Sequence, residues 1–172
     1  MDRGSLRKNA DAKAGQPLYD VALNQLTLGH AALYSVILER SSGVSPVQGD
    51  LQRSSATLDT AVYALRRAGT QEFIVRGLLT RAWLRSLMRK HSDSESAEAD
   101  LDEAWEIAER GPMRLFMADI HLYRARLFHA VKPYPWKSPQ EDLAAARKMI
   151  EQCAYWRRKE ELEDAEEAAK DW

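Results

Sequence analysis

The apolar positions of this chain recur every three to four residues in seven segments, which short polar or proline-rich stretches separate. Such a recurrence places an apolar stripe along one side of a helix, so each segment is predicted to be an amphipathic α-helix. We therefore expect an all-α fold. The predicted helices cover about 18–40, 51–68, 71–90, 96–110, 113–131, 139–153 and 156–170.

Local signals mark where several helices begin and end. Gly69 suits the left-handed residue that follows a helix, and the Gly-Pro pair at 111–112 is a strong stop. The sequence SPQE at 138–141 forms an S-x-x-E capping box with proline at the first helical position. Residues 1–16 show no periodicity and are expected to be a disordered lead-in. The Gly- and Ser-rich stretch at 41–50 is predicted to be a loop.

Two short motifs recur 43 residues apart, one on each kind of helix. The sequence LTRAWL at 79–84 returns as LYRARL at 122–127. On the alternate helices, LDTA at 58–61 returns as LDEA at 101–104, and loosely as LAAA at 143–146. Two motifs in step indicate a repeated pair of antiparallel helices, with a small residue on each helix that lets the backbones approach closely.

These pairs resemble tetratricopeptide repeats. Leu28-Gly29 matches the first-helix element, and Ala97-x3-Leu101-x2-Ala104 matches the second-helix element with Leu in place of the aromatic residue. The period of 43 and the absence of the leading Trp depart from the family pattern. The resemblance implies a helical-repeat solenoid in one domain, 17–172, with repeat pairs at about 17–69, 70–112 and 113–154 and a capping helix at about 156–170.

Two longer stretches, 58–85 and 99–128, resemble the repeat arrays that follow the NTPase modules of NACHT-like bacterial signalling proteins. This sequence contains no phosphate-binding loop. The resemblance therefore implies a second function beside peptide binding: a regulatory or self-assembly module of a larger signalling NTPase.

The composition narrows the class of protein. With 25 Lys and Arg, 26 Asp and Glu and a net charge of −1, the 172-residue chain is not expected to bind nucleic acid. The single cysteine, Cys153, cannot form an internal disulfide and suits a reducing compartment. The longest uncharged segment, Val21–Leu38, contains too many polar residues for a membrane span. We expect a cytoplasmic protein that does not bind a membrane.

Candidate catalytic chemistry is sparse. The sequence contains no nucleophile elbow, dinucleotide fingerprint or zinc-protease motif, so we expect no enzymatic activity and no cofactor. His121 and His129 are eight residues apart on one helix and cannot bind one metal ion by themselves. Cys153 is interpreted as a structural thiol.

Charge is distributed unevenly between the helices. The first helices of the second and third pairs are basic, and the segment from Asp93 to Arg110 carries eight acids against one base. First helices line the concave groove of tetratricopeptide repeats, so the resemblance implies a basic groove that binds an acidic peptide or a C-terminal carboxylate. The candidate groove residues are Arg76, Arg81, Trp83, Arg85, His121, Arg124 and Arg126.

The candidates fall on two strips of the helical wheel. When the residues of the two first helices are placed at their repeat-equivalent positions on one wheel, a strip about 60° wide contains Arg81, Arg85, His121 and Arg124. The other holds Arg76, Trp83, Asp119 and Arg126. In the structural alternative, Arg81 and Arg124 pair with acids on the neighbouring second helix instead of binding a partner. The sequence leaves open which strip lines the groove, and it leaves open a homo-oligomer.

Overall fold

The computed structural model describes residues 3–43, 48–88 and 94–172, and within them it contains seven α-helices and no strand. The predicted all-α class is therefore confirmed. The helices are α1 (Arg3–Ser41), α2 (Gln48–Ala68), α3 (Gln71–Leu87), α4 (Ser94–Arg110), α5 (Arg114–Phe128), α6 (Pro139–Gln152) and α7 (Lys159–Ala168). Short 3-10 turns flank α7 at Trp156–Arg158 and Ala169–Asp171.

The predicted stop and start signals are confirmed where they are described. Gly69 has φ +73° directly after α2, a conformation that costs glycine little. Ser138 is the N-cap of α6, and its hydroxyl accepts a hydrogen bond of 3.1 Å from the backbone N–H of Glu141. Helix α4 ends at Arg110, immediately before the Gly-Pro pair.

The predicted start of the first helix is wrong. The predicted start is at about residue 18, directly after Pro17, and α1 begins at Arg3 in the structure, so the proline lies inside the helix. The residues ahead of it include Leu6, Ala10 and Ala14, good helix formers that favour continuation. The interior proline removes one backbone donor, and a long helix tolerates one missing bond.

Other helix ends differ by a few residues. Helix α2 begins at Gln48 rather than at 51, and residues 44–47 of the predicted loop lie outside the described residues. Helix α5 ends at Phe128 rather than near 131 because the Val131 N–H bonds to the Phe128 carbonyl in a tight turn ahead of the prolines. The predicted last helix is divided into α7 and its two flanking 3-10 turns.

Helix α1 has an unusually apolar composition. Its segment Leu18–Ser41 is long enough to cross a membrane and contains an 18-residue window with a mean hydropathy of 1.3, of which 28% is buried in the structure. A membrane span was excluded above on polarity, and this hydropathy shows that composition alone does not exclude one. Helices of soluble cores and signal sequences pass the same test.

Contacts divide the chain into two compact units, one up to Leu84 and one from Arg85 onward. In the first unit, α1 and α3 run in the same direction, because Tyr19 contacts Phe73 and His30 contacts Thr80. Helix α2 runs in the opposite direction and packs against both. A single domain spanning 17–172 stays a prediction.

The first unit depends on one close approach between α1 and α2. Gly29 is buried in α1, and a Cβ atom built on it would lie 2.2 Å from Cδ2 of Leu58. Leu58 is itself buried, as are Leu26, Leu33 and Val36 along the same face of α1. Because glycine has only a hydrogen atom as its side chain, α1 and α2 can approach closely at Gly29.

In the second unit, α5 occupies the centre. Arg124 pairs with Asp102 of α4, and His121 pairs with Asp142 of α6, and both neighbours run antiparallel to α5. Helix α7 runs parallel to α5, and Arg158, just ahead of α7, pairs with Asp119. The core consists of Ala118, Leu122, Ala125, Leu143, Ala146, Ile150, Tyr155, Leu162 and Ala165.

We expect Gly29→Ala to lower the free energy of unfolding by about 1–3 kcal/mol, because the added methyl overlaps the side chain of the fully buried Leu58. Gly49→Ala is the matched control, since nothing lies within 4 Å of a Cβ at that position. There the better helix propensity of alanine predicts no loss, or a gain of up to about 1 kcal/mol. Urea denaturation of both variants measures the difference, and equal effects would contradict the close approach.

Burial and the neighbouring Arg76 lower the pKa of His30 below its usual 6.5. At pH values between the lowered pKa of His30 in the folded chain and its usual pKa in the unfolded chain, the unfolded chain binds more protons than the folded chain. The free energy of unfolding therefore falls as the pH falls below about 6.5. We expect His30→Gln to weaken this pH dependence between about pH 7.5 and pH 5.5. Urea midpoints at the two pH values test it, and an unchanged slope would show that His30 does not contribute.

Candidate functional site: the arginine pairs and the Arg124 cage

Arg81 lies in α3 with only 8% of its surface exposed. Its Nη1 donates a hydrogen bond of 2.9 Å to Oδ1 of Asp59 in α2. The aspartate belongs to the repeated LDTA motif, directly after its leucine. The arginine therefore connects the second helix of one predicted pair to the first helix of the next.

Arg124 repeats this arrangement in the second unit. It is 7% exposed, and its Nη2 donates a hydrogen bond of 3.0 Å to Oδ1 of Asp102 in α4. Each arginine lies 22 residues after its aspartate, and the two pairs occupy equivalent positions of the 43-residue repeat. These contacts are the ones that the structural alternative predicts.

Two indole rings enclose the Arg124 guanidinium. Its Cζ lies 5.0 Å from the Trp105 ring centroid and 4.5 Å from the Trp136 ring centroid, within cation–π range. The Trp136 Nε1–H donates a hydrogen bond of 2.8 Å to the same Asp102 Oδ1. We call Arg124, Asp102, Trp105 and Trp136 the Arg124 cage. The segment 129–138 supplies one wall of the cage.

Burial lowers the pKa of Arg124, and the carboxylates of Asp142 and Asp102 raise it in opposition. The Nε atom of Arg124 is buried and has no hydrogen-bond partner among the described residues. The cage thus holds a cation by ring faces and one carboxylate, with one donor left unsatisfied.

A second polar group lies beside the cage. Nδ1 of His121 lies 2.6 Å from Oδ1 of Asp142, and the Tyr134 hydroxyl donates to Oδ2 of the same carboxylate. Trp105 contacts the His121 ring edge to face, at 4.9 Å between centroids. Burial, followed by the bond to Asp142, raises the pKa of Tyr134, so the hydroxyl remains a donor.

The remaining candidates are dispersed. Arg85 donates a hydrogen bond of 2.8 Å to the buried Asp100, and Arg76 pairs at 2.9 Å with Glu72 one turn earlier. Arg126 lies 3.5 Å from Glu161 of α7, and Trp83 is half-buried in α3. Of the seven candidates, His121 and Arg124 share one cluster. The use of all seven as a groove stays a prediction.

The sequence analysis places Asp119 on a polar strip, and the structure buries it. Its Oδ1 accepts a hydrogen bond of 2.8 Å from Arg158 Nε, and its Oδ2 accepts one of 3.2 Å from the Tyr155 hydroxyl. Burial raises the pKa of Asp119, and these two donors oppose the rise. The carboxylate therefore anchors the segment that leads into α7.

The third copy of the repeat lacks the aspartate. Ala144 stands where Asp59 and Asp102 stand in the earlier copies, and it borders a cavity of about 360 Å³ between α6 and α7. Arg147 and Glu166 pair with each other at its rim. The aspartate-to-arginine bridge of the earlier copies is therefore replaced here by a pair of Arg147 in α6 with Glu166 in α7.

Tyr134, Trp136 and the partner aspartates were missed by sequence reasoning. A proline-rich loop with two aromatic residues was a usable signal, because such side chains commonly find a polar partner and an apolar surface. No group of three His, Cys, Asp or Glu that could hold a metal ion occurs in the part of the chain that the structure describes. Comparison with known proteins finds no matching family model, no matching curated sequence and no matching solved structure.

We expect Asp102→Asn to lower the free energy of unfolding by about 1–3 kcal/mol, because the buried Arg124 loses its charged acceptor and Trp136 loses part of the same acceptor. This loss of stability is smaller than the loss expected for a fully buried ion pair, because the side chain of Asp102 is half exposed. Asp50→Asn, at an exposed pair with Arg53, is the matched control and should cost less than about 1 kcal/mol. Equal urea midpoints for the two variants would contradict the role of the cage.

Proposed function

We propose that this chain is a non-catalytic protein–protein interaction module built from tetratricopeptide-like helical hairpins. The support is the alternation of helix direction within each unit, together with the repeated Arg81–Asp59 and Arg124–Asp102 bridges. Arrays of this kind stack repeated hairpins and present long surfaces to partners. Cytoplasmic location stays a prediction.

The observation that carries the proposal is the outer face of α1. Val21, Leu28, Tyr34 and Leu38 are between 52% and 66% exposed along this one helix. A cluster of large apolar side chains on a surface marks a site that another molecule covers. We call the side of α1 that carries these four residues the α1 outer face.

The basic groove of the sequence analysis has weaker support. Arg81 and Arg124 are buried and bonded to aspartates, so their guanidinium groups already have acceptors. Arg76 and Arg126 have more exposed side chains and would have to orient an acidic peptide or a C-terminal carboxylate. We therefore place the binding surface on α1 rather than in the groove.

The second candidate function is a regulatory or self-assembly module of a larger signalling NTPase. The α1 outer face favours it as well, because it would cover an apolar surface that a separate chain leaves exposed. In this version the occupant is another domain of the same assembly. The two functions share one surface and differ in what binds to it.

We expect immobilised wild-type chain to enrich specific proteins from an extract of the source organism, copies of the chain itself included. Leu28→Asp combined with Leu38→Asp should abolish this enrichment, because two charges would be buried at the contact. Quantitative mass spectrometry of the bound fraction is the measurement, and circular dichroism checks that the variant is helical.

Two controls separate the surfaces. Leu115→Asp changes an exposed leucine on α5 and should leave the enrichment intact. Arg76→Glu combined with Arg126→Glu removes the more exposed basic groups. If only this groove variant loses the enriched proteins, the α1 surface is wrong and the groove is right. If wild type enriches nothing over the α1 variant, the interaction function is wrong.

A further inference from the structure

We propose that the α1 outer face binds the same face of a second copy of this chain, with the two helices antiparallel. The inference rests on the proposed interaction function and names the partner of that surface. Its evidence is the order of side chains along the exposed side of α1, which a twofold axis would match to itself.

The exposed positions of α1 follow the spacing of a coiled-coil seam. Val21, Leu28 and Ser35 are separated by seven residues, and Asn24, Ala31 and Leu38 follow each of them by three. All six are exposed, whereas Ala22, Leu26, Leu33 and Val36 on the opposite side of the helix are buried. An a-and-d pattern is therefore complete on a face that has no partner within the described residues.

The seam carries no formal charge from Val21 to Leu38. Its hydroxyl groups are already satisfied, because Thr27 Oγ1 donates to the Leu23 carbonyl at 2.9 Å and Ser35 Oγ donates to the Ala31 carbonyl at 3.1 Å. Covering this face therefore removes few hydrogen bonds to water.

An antiparallel arrangement pairs a large residue with a small one at its centre, apolar with apolar at its ends and polar with polar between them. With the twofold axis between residues 29 and 30, Leu28 lies opposite Ala31 of the second copy, and Val21 lies opposite Leu38. Asn24 lies opposite Ser35, whose oxygen can accept from the amide. Coiled coils with this orientation use such a-to-d layers, and a polar layer fixes their register.

A parallel pair would fit less well. It would place Leu28 on Leu28 and Ala31 on Ala31, so one layer is crowded and another leaves a gap. It would also oppose Asn24 to Asn24 with no serine. Tyr34, on the edge of the seam, lies on the same side as Thr27, and only the antiparallel pair brings each tyrosine over the other copy's threonine.

A lipid surface fits the face less well than a second copy does. Interfacial helices commonly carry basic residues that border the apolar face and attract anionic headgroups. Here the exposed charged residues at the two ends of the seam are Asp20, Glu39 and Arg40, so acids outnumber bases there. A bilayer also has no preference for alternating large and small residues.

The size of the seam sets the expected strength. Eighteen residues of helix extend about 27 Å, and a single helix-to-helix contact of that length buries less than the roughly 1,200 Å² of total area that stable complexes bury. We therefore expect a reversible monomer–dimer equilibrium that shifts with protein concentration.

Sedimentation velocity of the purified full chain over a wide concentration range tests the association. The sedimentation coefficient of wild type should rise with concentration, and Leu28→Asp should keep it at the monomer value throughout. Leu115→Asp is the matched control and should behave as wild type. Circular dichroism shows whether each variant keeps its helicity.

Disulfide trapping tests the direction. In a Cys153→Ser background, one tagged copy carries Leu28→Cys and an untagged copy carries Ala31→Cys. The antiparallel pair predicts that the mixed 28–31 disulfide forms faster than either like pair on mild oxidation. Faster 28–28 and 31–31 disulfides would overturn the antiparallel geometry.

The remaining outcomes separate this inference from the proposed function. A wild-type chain that is monomeric at every concentration, while Leu28→Asp with Leu38→Asp still abolishes capture from the extract, overturns the second-copy inference alone. Binding of wild type to vesicles of phosphatidylcholine and phosphatidylserine, lost in Leu28→Asp and without self-association, would assign the face to lipid instead.

Discussion

The buried guanidinium groups of Arg81 and Arg124 constrain how the helices of this chain pack. A buried cation is tolerated only when an acceptor meets it in good geometry, and each arginine meets an aspartate on the preceding helix. Each bridge therefore joins α3 to α2 or α5 to α4 at one defined point of their register. Apolar packing around the fully buried Leu58 and Leu101 supplies stability.

The bridge of Arg124 is built into an aromatic cage. Arg124 lies between two indole rings and shares its aspartate with Trp136, and Arg81 bonds the partly exposed carboxylate of Asp59. The loop 129–138 thus covers the position where the sequence analysis places a partner. A residue type that suits carboxylate capture is used here to bind a carboxylate of its own chain.

The surface that we propose for a partner is the α1 outer face. Close packing through Gly29 holds α1 on α2 by one side, which leaves the uncharged opposite side exposed. Helix α7, by contrast, is rich in charged residues. Exposed apolar side chains are therefore the physical reason to look for a cover over α1.

The sequence by itself determined the number of helices, most of their ends and the repeat. These features depend on local propensity, capping residues such as Ser138 and a short period of apolar positions, all of which can be read from neighbouring residues. It also determined that Arg81 and Arg124 are equivalent. The predicted start of α1 was wrong, because a proline was interpreted as the first residue of a helix. The helix-forming residues ahead of Pro17 continue the helix to Arg3 instead.

Only the tertiary structure decided what the arginines bind. A helical wheel gives an arginine the same position whether it binds another molecule or an aspartate of its own chain 22 residues earlier. The wheel describes one helix and contains no information about the neighbouring helix. The Trp136 wall of the cage was likewise invisible to periodicity. Burial is a property of the assembled helices, and each of these assignments required knowing which side of a helix the others cover.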